Sequence, residues 1–359
     1  MDNKKEYVIL IYGGQSTEHD VSRRSAYTIY KNLDLTKYNC ILIGIDESGM
    51  WWLQPDSSRV ENPASSTLLI LKDKRIDPGY LLQYQDNSVV FSIIHGHGGE
   101  DGLIQGLLEC LNMAYVGSGC MGSAIGMDKL ISKKLVEHAG IRVVPYSELN
   151  YYDWTHSDQS QILDSIVNHL KGFSMFIKPA CQGSSVGISK VSSTKELKSG
   201  IDEAFKYDSK LLIEKAFRVR EIECAVLGGD EPKSSVPGEI ITEVGFYDYD
   251  AKYKTDTSII KVPADLLQSD VKELKSMAVT IFKTLNLYGM SRVDFFFNKD
   301  DGLYYFNEVN TVPGFTSISQ YPKLWDYEGI PIHKLIDQLI QLGKSRYLDS
   351  KRITKSYNS

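Results

Sequence analysis

Two spacings of apolar residues alternate along the first third of the chain. Residues 7–12, 40–45 and 89–94 are short, nearly continuous apolar runs, the length and composition of strands buried on both faces. Between the first two, Val21, Ala26, Ile29, Tyr30 and Leu33 recur at helical spacing. Strand–helix–strand order with buried strands predicts a parallel α/β layer. Residues 46–88 are polar and irregular, with room for hairpins. From about residue 118 the pattern changes. Ile125, Leu130, Leu135 and Val136 predict one helix over 123–139, stopped by Gly140. Residues 150–160 read as a loop, and Ile162, Ile166, Val167 and Leu170 as a further helical stripe. Strands are expected at 175–179, 210–215 and 222–227. The clearest amphipathic helix carries Val271, Leu274, Met277, Ala278, Ile281, Phe282 and Leu285, with Ser269 as its N-cap. A last helix over 332–342 should end at Gly343, leaving a solvated basic tail from Lys344 onward.

Near the C-terminus the period changes to two. The run 291–297 and the run 304–310 flank Lys299-Asp300-Asp301-Gly302. A three-residue loop, Asp300 to Gly302 with Gly302 left-handed, would pair Lys299 with Leu303. That register sets Asp294 opposite Glu308, and Asn310 follows on the same face. Facing carboxylates repel unless a cation lies between them, and Mg²⁺ takes one or two carboxylates plus substrate phosphates. A polar outer hairpin face would explain these residues alone. The unusual exit Thr311-Val312-Pro313-Gly314-Phe315-Thr316-Ser317 favours the metal.

Composition narrows the classes without choosing among them. The 359 residues suffice for two or three domains, and 42% hydrophobic with 24% charged residues is ordinary for a globular protein. A net charge of −6 gives no electrostatic case for nucleic acid or an anionic membrane. No apolar run approaches the roughly 20 residues that span a bilayer. Five scattered cysteines without a CxxC pair read as reduced residues, and with no signal-peptide pattern at the start a cytoplasmic location is expected.

Other segments suggest a nucleotide. Lys178-Pro179 runs into Ala180-Cys181-Gln182-Gly183-Ser184-Ser185-Val186-Gly187. A strand delivering a lysine into a loop of small residues can hold phosphates through backbone N–H groups and a point charge. The spacing is neither a P-loop nor a Rossmann fingerprint. Leu212 to Phe217, including Glu214 and Lys215, suits an adenine hinge, and Glu221 could accept ribose hydroxyls. The turn 13–22, with Glu18, and the loop 95–102, with His95, leave strand ends that should open on one crevice. His95 and His97 lack the further ligands a zinc site needs.

Taken in order, these motifs resemble the D-alanine–D-alanine ligases, which are ATP-grasp enzymes, over residues 7 to 343. The resemblance implies an α/β (α+β) three-domain fold: an N-terminal α/β substrate domain over 1–117, a central lid domain over 118–213, a catalytic domain over 214–345, and a tail. It implies ATP, two Mg²⁺ or Mn²⁺ ions, and a homodimer. Lys129, Lys178 and Lys252 would contact ATP phosphates, with Ser184 and Ser185 in the lid. Glu18 would face the ammonium of the first D-alanine, and His95 would orient it or help remove a proton. The aromatic segment 245–253 resembles the loop that closes such sites, with Tyr253 bonding toward Glu18 and Ser184. Asp294, Glu308 and Asn310 would hold the metal. Arg292 and the Gly314 N–H would clamp the tetrahedral oxyanion, and Ser319 the second carboxylate.

The implied activity forms D-alanyl-D-alanine for peptidoglycan precursors through an acyl phosphate. The chain has Ser317-Ile318-Ser319-Gln320 where the family usually shows Ser-His-Ser and then Leu, Met or Arg. D-serine, or D-lactate, is therefore the alternative second substrate. A rival from another class is an ATP sensor without ligase activity, and a third reading is a different ATP-grasp ligase that joins larger amino acids.

Overall fold

The run 7–12 is unbroken because both faces of its strand are covered. The computed structural model describes residues 5–55, 57–242 and 258–354. Val8, Leu10 and Tyr12 of strand β1 (Glu6–Gly13) enter one core, and Ile9 and Ile11 enter another on the opposite face. Helix α1 (His19–Asn32) leads to β2 (Tyr38–Ile45), parallel to β1. The irregular stretch 46–88 supplies β3 (Trp51–Leu53) and β4 (Arg75–Ile76), which extend that edge antiparallel. On the other side lie β5 (Ser88–Ser92) and, after α2 (Leu103–Cys110), β6 (Ala114–Tyr115), both in parallel. The order β4-β3-β2-β1-β5-β6 reverses direction between β1 and β5. Loops leaving the carboxyl ends of those two strands share a crevice, as open α/β sheets require.

Gly13 makes the exit from β1 possible. Its φ is +89°, and a Cβ there would lie 2.1 Å from the Ile45 carbonyl oxygen. Gly13→Ala is expected to cost about 2–4 kcal/mol through strain and overpacking, seen as a lower urea midpoint with an unchanged m-value.

The helix expected over 123–139 is two helices, α3 (Cys120–Met127) and α4 (Lys129–His138). Asp128 breaks them apart. Its backbone is extended, and its carboxylate accepts the N–H groups of Leu130 and Ile131, a cap worth about 1 kcal/mol. Lys129 thereby becomes the first residue of α4. Residues 150–160 are not all loop: Asn150 caps a short helix, α5 (Tyr151–His156), by accepting the Asp153 N–H. Strands β7 (Tyr146–Asn150), β8 (Met175–Pro179), β9 (Ser189–Val191) and β10 (Lys210–Lys215) form an antiparallel sheet in the order β9-β8-β10-β7.

The third sheet runs β13-β12-β11-β14-β15, from β11 (Val219–Gly228), β12 (Gly238–Thr242), β13 (Ser258–Lys261), β14 (Gly289–Asn298) and β15 (Leu303–Asn310). Helix α6 (Gln268–Thr284) covers it through Leu274, Ala278, Ile281 and Phe282. Leu267, not Ser269, holds the N-cap position, and the Ser269 hydroxyl donates to Asp270 instead.

The β14–β15 hairpin departs from the expected turn. Asn298, not Lys299, pairs with Leu303, so residues 299–302 form the loop, with Gly302 left-handed at φ +72°. A bulge then adds Asn307 to β15, since Phe306 faces Phe295 while Glu308 faces Asp294. The two one-residue shifts cancel, and the pairing of the acids survives.

After α7 (Gln320–Tyr327), the last helix, α8 (Ile332–Lys351), runs through Gly343. A Cβ at Gly343 would lie 2.6 Å from the Tyr115 carbonyl oxygen, so this glycine serves close helix–strand packing instead of ending the helix. The start of the expected tail is tied down. Lys344 pairs with Glu6 at 2.9 Å, and the Arg346 guanidinium sits 3.9 Å from the Tyr115 ring centroid. Among the described residues no helix is long and apolar enough to cross a membrane.

Candidate active site

The three sheets turn residues into one cleft of about 800 Å³. On its floor three carboxylates stand in a row. Glu223 of β11 faces Asp294 of β14, and Asp294 faces Glu308 of β15. Directly opposed residues share a face, so three like charges lie side by side and must be offset. Arg292 donates from Nε and Nη2 to the two oxygens of Asp294 at 2.8 and 2.7 Å, and its Nε is 3.0 Å from Glu223. Lys129 lies 3.1 Å from Glu308, and Asn310 donates to Asp294 at 3.1 Å. Burial would lower the affinity of Arg292 for its proton, but Asp294 and Glu223 outweigh it and hold the guanidinium well above its ordinary value.

The donors Asp294, Glu308 and Asn310 are all hard oxygens, which suits a divalent cation such as Mg²⁺. Among the described residues no three His, Cys, Asp or Glu side chains form a metal cage unaided. A cation here would draw further oxygens from a ligand, the ordinary habit of Mg²⁺ beside phosphates.

Lys178 stands behind this row. Its ammonium is 2.5 Å from Glu214 and 3.2 Å from the Asn307 amide oxygen, the residue that the bulge turns toward it. Glu214 is 1% exposed and also pairs with the fully buried Lys133 at 2.7 Å. Burial pushes the Glu214 carboxyl up, yet the two lysines overcome that and hold it below the usual range. The Glu214 side chain thus points into the protein, and the residue is paired with Phe176 and Tyr146 on the two sides of its strand. Lys215 and Phe217 carry the chain from the second sheet to the third. The Lys215 N–H bonds to Pro145, and the Phe217 ring lies 5.1 Å from that of Tyr305. Glu221 lines the cleft, whereas Lys178, Ser185, Glu214, Lys215 and Phe217 do not.

Opposite the acid row, the lid loop reaches the first sheet. The Ser184 hydroxyl donates to Glu18 at 2.5 Å. Ser184 and Ser185 both have positive φ, +50° and +60°, a strained pair of non-glycine residues of the kind found at ligand clamps. Lys129 donates to the Gln182 carbonyl at 2.7 Å, tying the same loop to α4. His95 is buried with both ring nitrogens engaged, Nδ1 toward the Val312 carbonyl and Nε2 toward Ser25, each at 3.0 Å. Burial lowers its pKa, and Glu100 and Glu18 more than reverse that, so the net direction is up. Ser25 also accepts the Phe315 N–H, which fixes the segment bearing Gly314 against the first sheet.

In that segment a Cβ at Gly314 would lie 2.7 Å from Ser319 Oγ. Ser319 accepts the Thr316 N–H at 3.0 Å. Gln320 is buried, and neither end of its amide has a hydrogen-bond partner among the described residues. Both residues line the cleft.

Glu18, His95, Lys129, Ser184, Glu221, Arg292, Asp294, Glu308, Asn310, Gly314 and Ser319 therefore share one cleft. Lys252 and Tyr253, with the loop 245–253, lie outside the described residues. Sequence reasoning passed over Glu100, Lys133, Glu223 and Asn307. Two of these left a local signal: Lys133 follows Lys129 by one helical turn, and Glu223 shares a strand face with Glu221. Asn307 had none, because it depends on the bulge.

The match to known proteins covers nearly the whole chain. Residues 7–118 fit the family model described as D-ala D-ala ligase N-terminus, and residues 135–341 fit D-ala D-ala ligase C-terminus. The chain belongs to the D-alanine–D-alanine ligase family. It is 43% identical to the D-alanine–D-alanine ligase of Clostridium acetobutylicum, over 95% of this chain and 99% of that one. It is 40% identical to that of Geobacillus kaustophilus, with 98% of both chains covered. Its α/β fold is the ATP-grasp arrangement of the family. The solved D-alanine–D-alanine ligase of Coxiella burnetii superposes with a TM-score of 0.80 at 34% identity, over 97% of this chain and 98% of that one. A D-Ala:D-Ser ligase from Enterococcus faecalis superposes at 0.81 with 33% identity, over 95% and 100%.

Proposed function

We propose that this family member joins two D-alanines into D-alanyl-D-alanine, using ATP and a divalent cation, through an acyl phosphate. The meeting of the Glu18–Ser184 pair with the Arg292–Asp294–Glu308 row across one cleft carries this reading. Glu18 binds the ammonium of the first D-alanine, and His95, held by Ser25 and Val312, orients that side of the site. The hinge backbone around Lys215 and Phe217 reads adenine, and Glu221 accepts the ribose hydroxyls. Lys129 neutralises the phosphates under the Ser184–Ser185 loop, and Lys178 adds positive charge from behind the acid row. A carboxylate oxygen of D-alanine then attacks the γ-phosphorus, giving the acyl phosphate and ADP. Bound at Asp294, Glu308 and Asn310, Mg²⁺ or Mn²⁺, as one ion or two, would neutralise the oxygens of the transferring group.

The amine of the second D-alanine attacks the acyl carbon. Arg292 and the Gly314 N–H stabilise the oxyanion, Ser319 holds the second carboxylate, and phosphate leaves. The domain division at residues 117, 213 and 345 is part of the same reading, with the cleft at the junction.

Purified protein with Mg-ATP and D-alanine should release ADP in step with D-alanyl-D-alanine, identified by mass. Parallel reactions with D-serine or D-lactate as second substrate should give markedly less mixed product. ADP release that ignores D-alanine would sink the proposal.

A further inference from the structure

We propose that Glu223 is a positioning residue that retains Arg292 in the site when a divalent cation takes Asp294. The inference rests on the ligase reading above, to which it adds a residue without an assigned role. Asp294 is claimed twice. Arg292 bonds to both of its oxygens, at 2.8 and 2.7 Å, and Asn310 to one of them at 3.1 Å. A cation bound to Asp294 competes for those oxygens and repels the guanidinium. With Asp294 as its only anionic neighbour, Arg292 would be driven from the site by the same event that readies the site for phosphoryl transfer.

The sheet supplies a second anion on the side away from Glu308. Glu223 pairs in register with Asp294 from β11, is 4% exposed, and lies 3.0 Å from Arg292 Nε. A buried carboxylate stripped of its cation is strongly unfavourable, so Glu223 holds the guanidinium whatever happens at Asp294. It also shares Arg292 Nε with Asp294, so the guanidinium keeps an anionic partner as the cation enters. Glu223 thus acts through Arg292, on two quantities at once: cation affinity and retention of the oxyanion donor.

The test uses the full-length protein carrying ADP, titrated with Mn²⁺ while free Mn²⁺ is read by EPR. Glu223→Gln is expected to weaken Mn²⁺ binding about tenfold, because Arg292 then leans more heavily on Asp294, its two-pronged partner. In an Arg292→Ala background the same substitution should change it by less than about threefold, since nothing remains for Glu223 to hold. Equal weakening in both backgrounds would overturn the proposal and make Glu223 a cation ligand or a general field source. No change on Glu223→Gln would reduce it to a structural acid. Glu223→Asp, which keeps the charge but withdraws it, should fold and should lower kcat with little change in the KM for ATP; a raised KM with unchanged kcat would count against the idea. Wild-type protein that binds Mn²⁺ and ADP but makes no dipeptide would refute the ligase reading while leaving the titration interpretable.

Discussion

Arg292→Ala is expected to lower kcat by about 10²–10³-fold, the usual effect of deleting one oxyanion donor, with little change in the KM for ATP. Three features of the site set that expectation. Arg292 is a cleft residue, its guanidinium is already held in place by Glu223 and Asp294, and among the described residues no other arginine lines the same wall of the third sheet. Its removal also leaves two facing carboxylates, on β11 and β14, without their shared cation. The variant should therefore melt earlier as well. Arg292→Lys should recover little activity, because an ammonium cannot reproduce the two-pronged contact with Asp294. Steady-state ADP release and a thermal melt on the same preparation separate the two effects. Unchanged kcat in the alanine variant would remove Arg292 from the chemistry.

The second large effect is expected at Glu214. This carboxylate lies between the ammonium groups of Lys133 and Lys178, with almost no access to water. Glu214→Gln leaves two buried cations facing a neutral amide, and breaking such a pair costs about 3–5 kcal/mol. Lys178 also loses the partner that aims it, so the KM for ATP should rise more than kcat falls. The pH dependence follows from the direction of the shift. The folded-state pKa of Glu214 lies below its ordinary value of 4.5. The unfolded chain therefore binds the proton more readily, and stability from this group is fully present above about pH 4.5. It is lost as pH falls through the lower, folded-state pKa. Urea titrations at pH 7 and below pH 4 should show the wild-type advantage over Glu214→Gln shrinking with acidity. An equal gap at both pH values would mean that Glu214 is not ionised in the folded protein.

Much of the site was legible because its motifs are local. Gly13-Gly14 and His95-Gly96 mark strand exits by residue type alone, and the parallel part of the layer they leave was legible because strands covered on both faces are apolar throughout. The lysine-to-serine loop after Pro179 is likewise a short-range signal. The acid pair at 294 and 308 could be read from alternation across a hairpin, even though the turn is one residue longer than expected and a bulge that the sequence does not signal offsets it. Helix ends were less legible. Asp128 interrupts an otherwise continuous helical pattern because its carboxylate caps the next helix, and Gly343 lets a helix pass close to Tyr115. Asp128 starts a helix inside a run whose apolar spacing is continuous, whereas Gly343, a residue type that commonly ends a helix, lies within one.

By itself the sequence determined the strand and helix periods, the turn chemistry, the excess of acid on the hairpin face and the family to which the chain belongs. The periods and turn chemistry depend on side-chain spacing and backbone preference within a few residues, and the family on the order of such motifs along the chain. Only the tertiary structure decided that Glu223 stands beside Asp294, that Lys133 and Lys178 share Glu214, and that Ser184 reaches Glu18. Each of these contacts joins segments far apart in the chain. Their partners are chosen by how sheets align and which charges must be offset once water is excluded, and no local pattern encodes that choice.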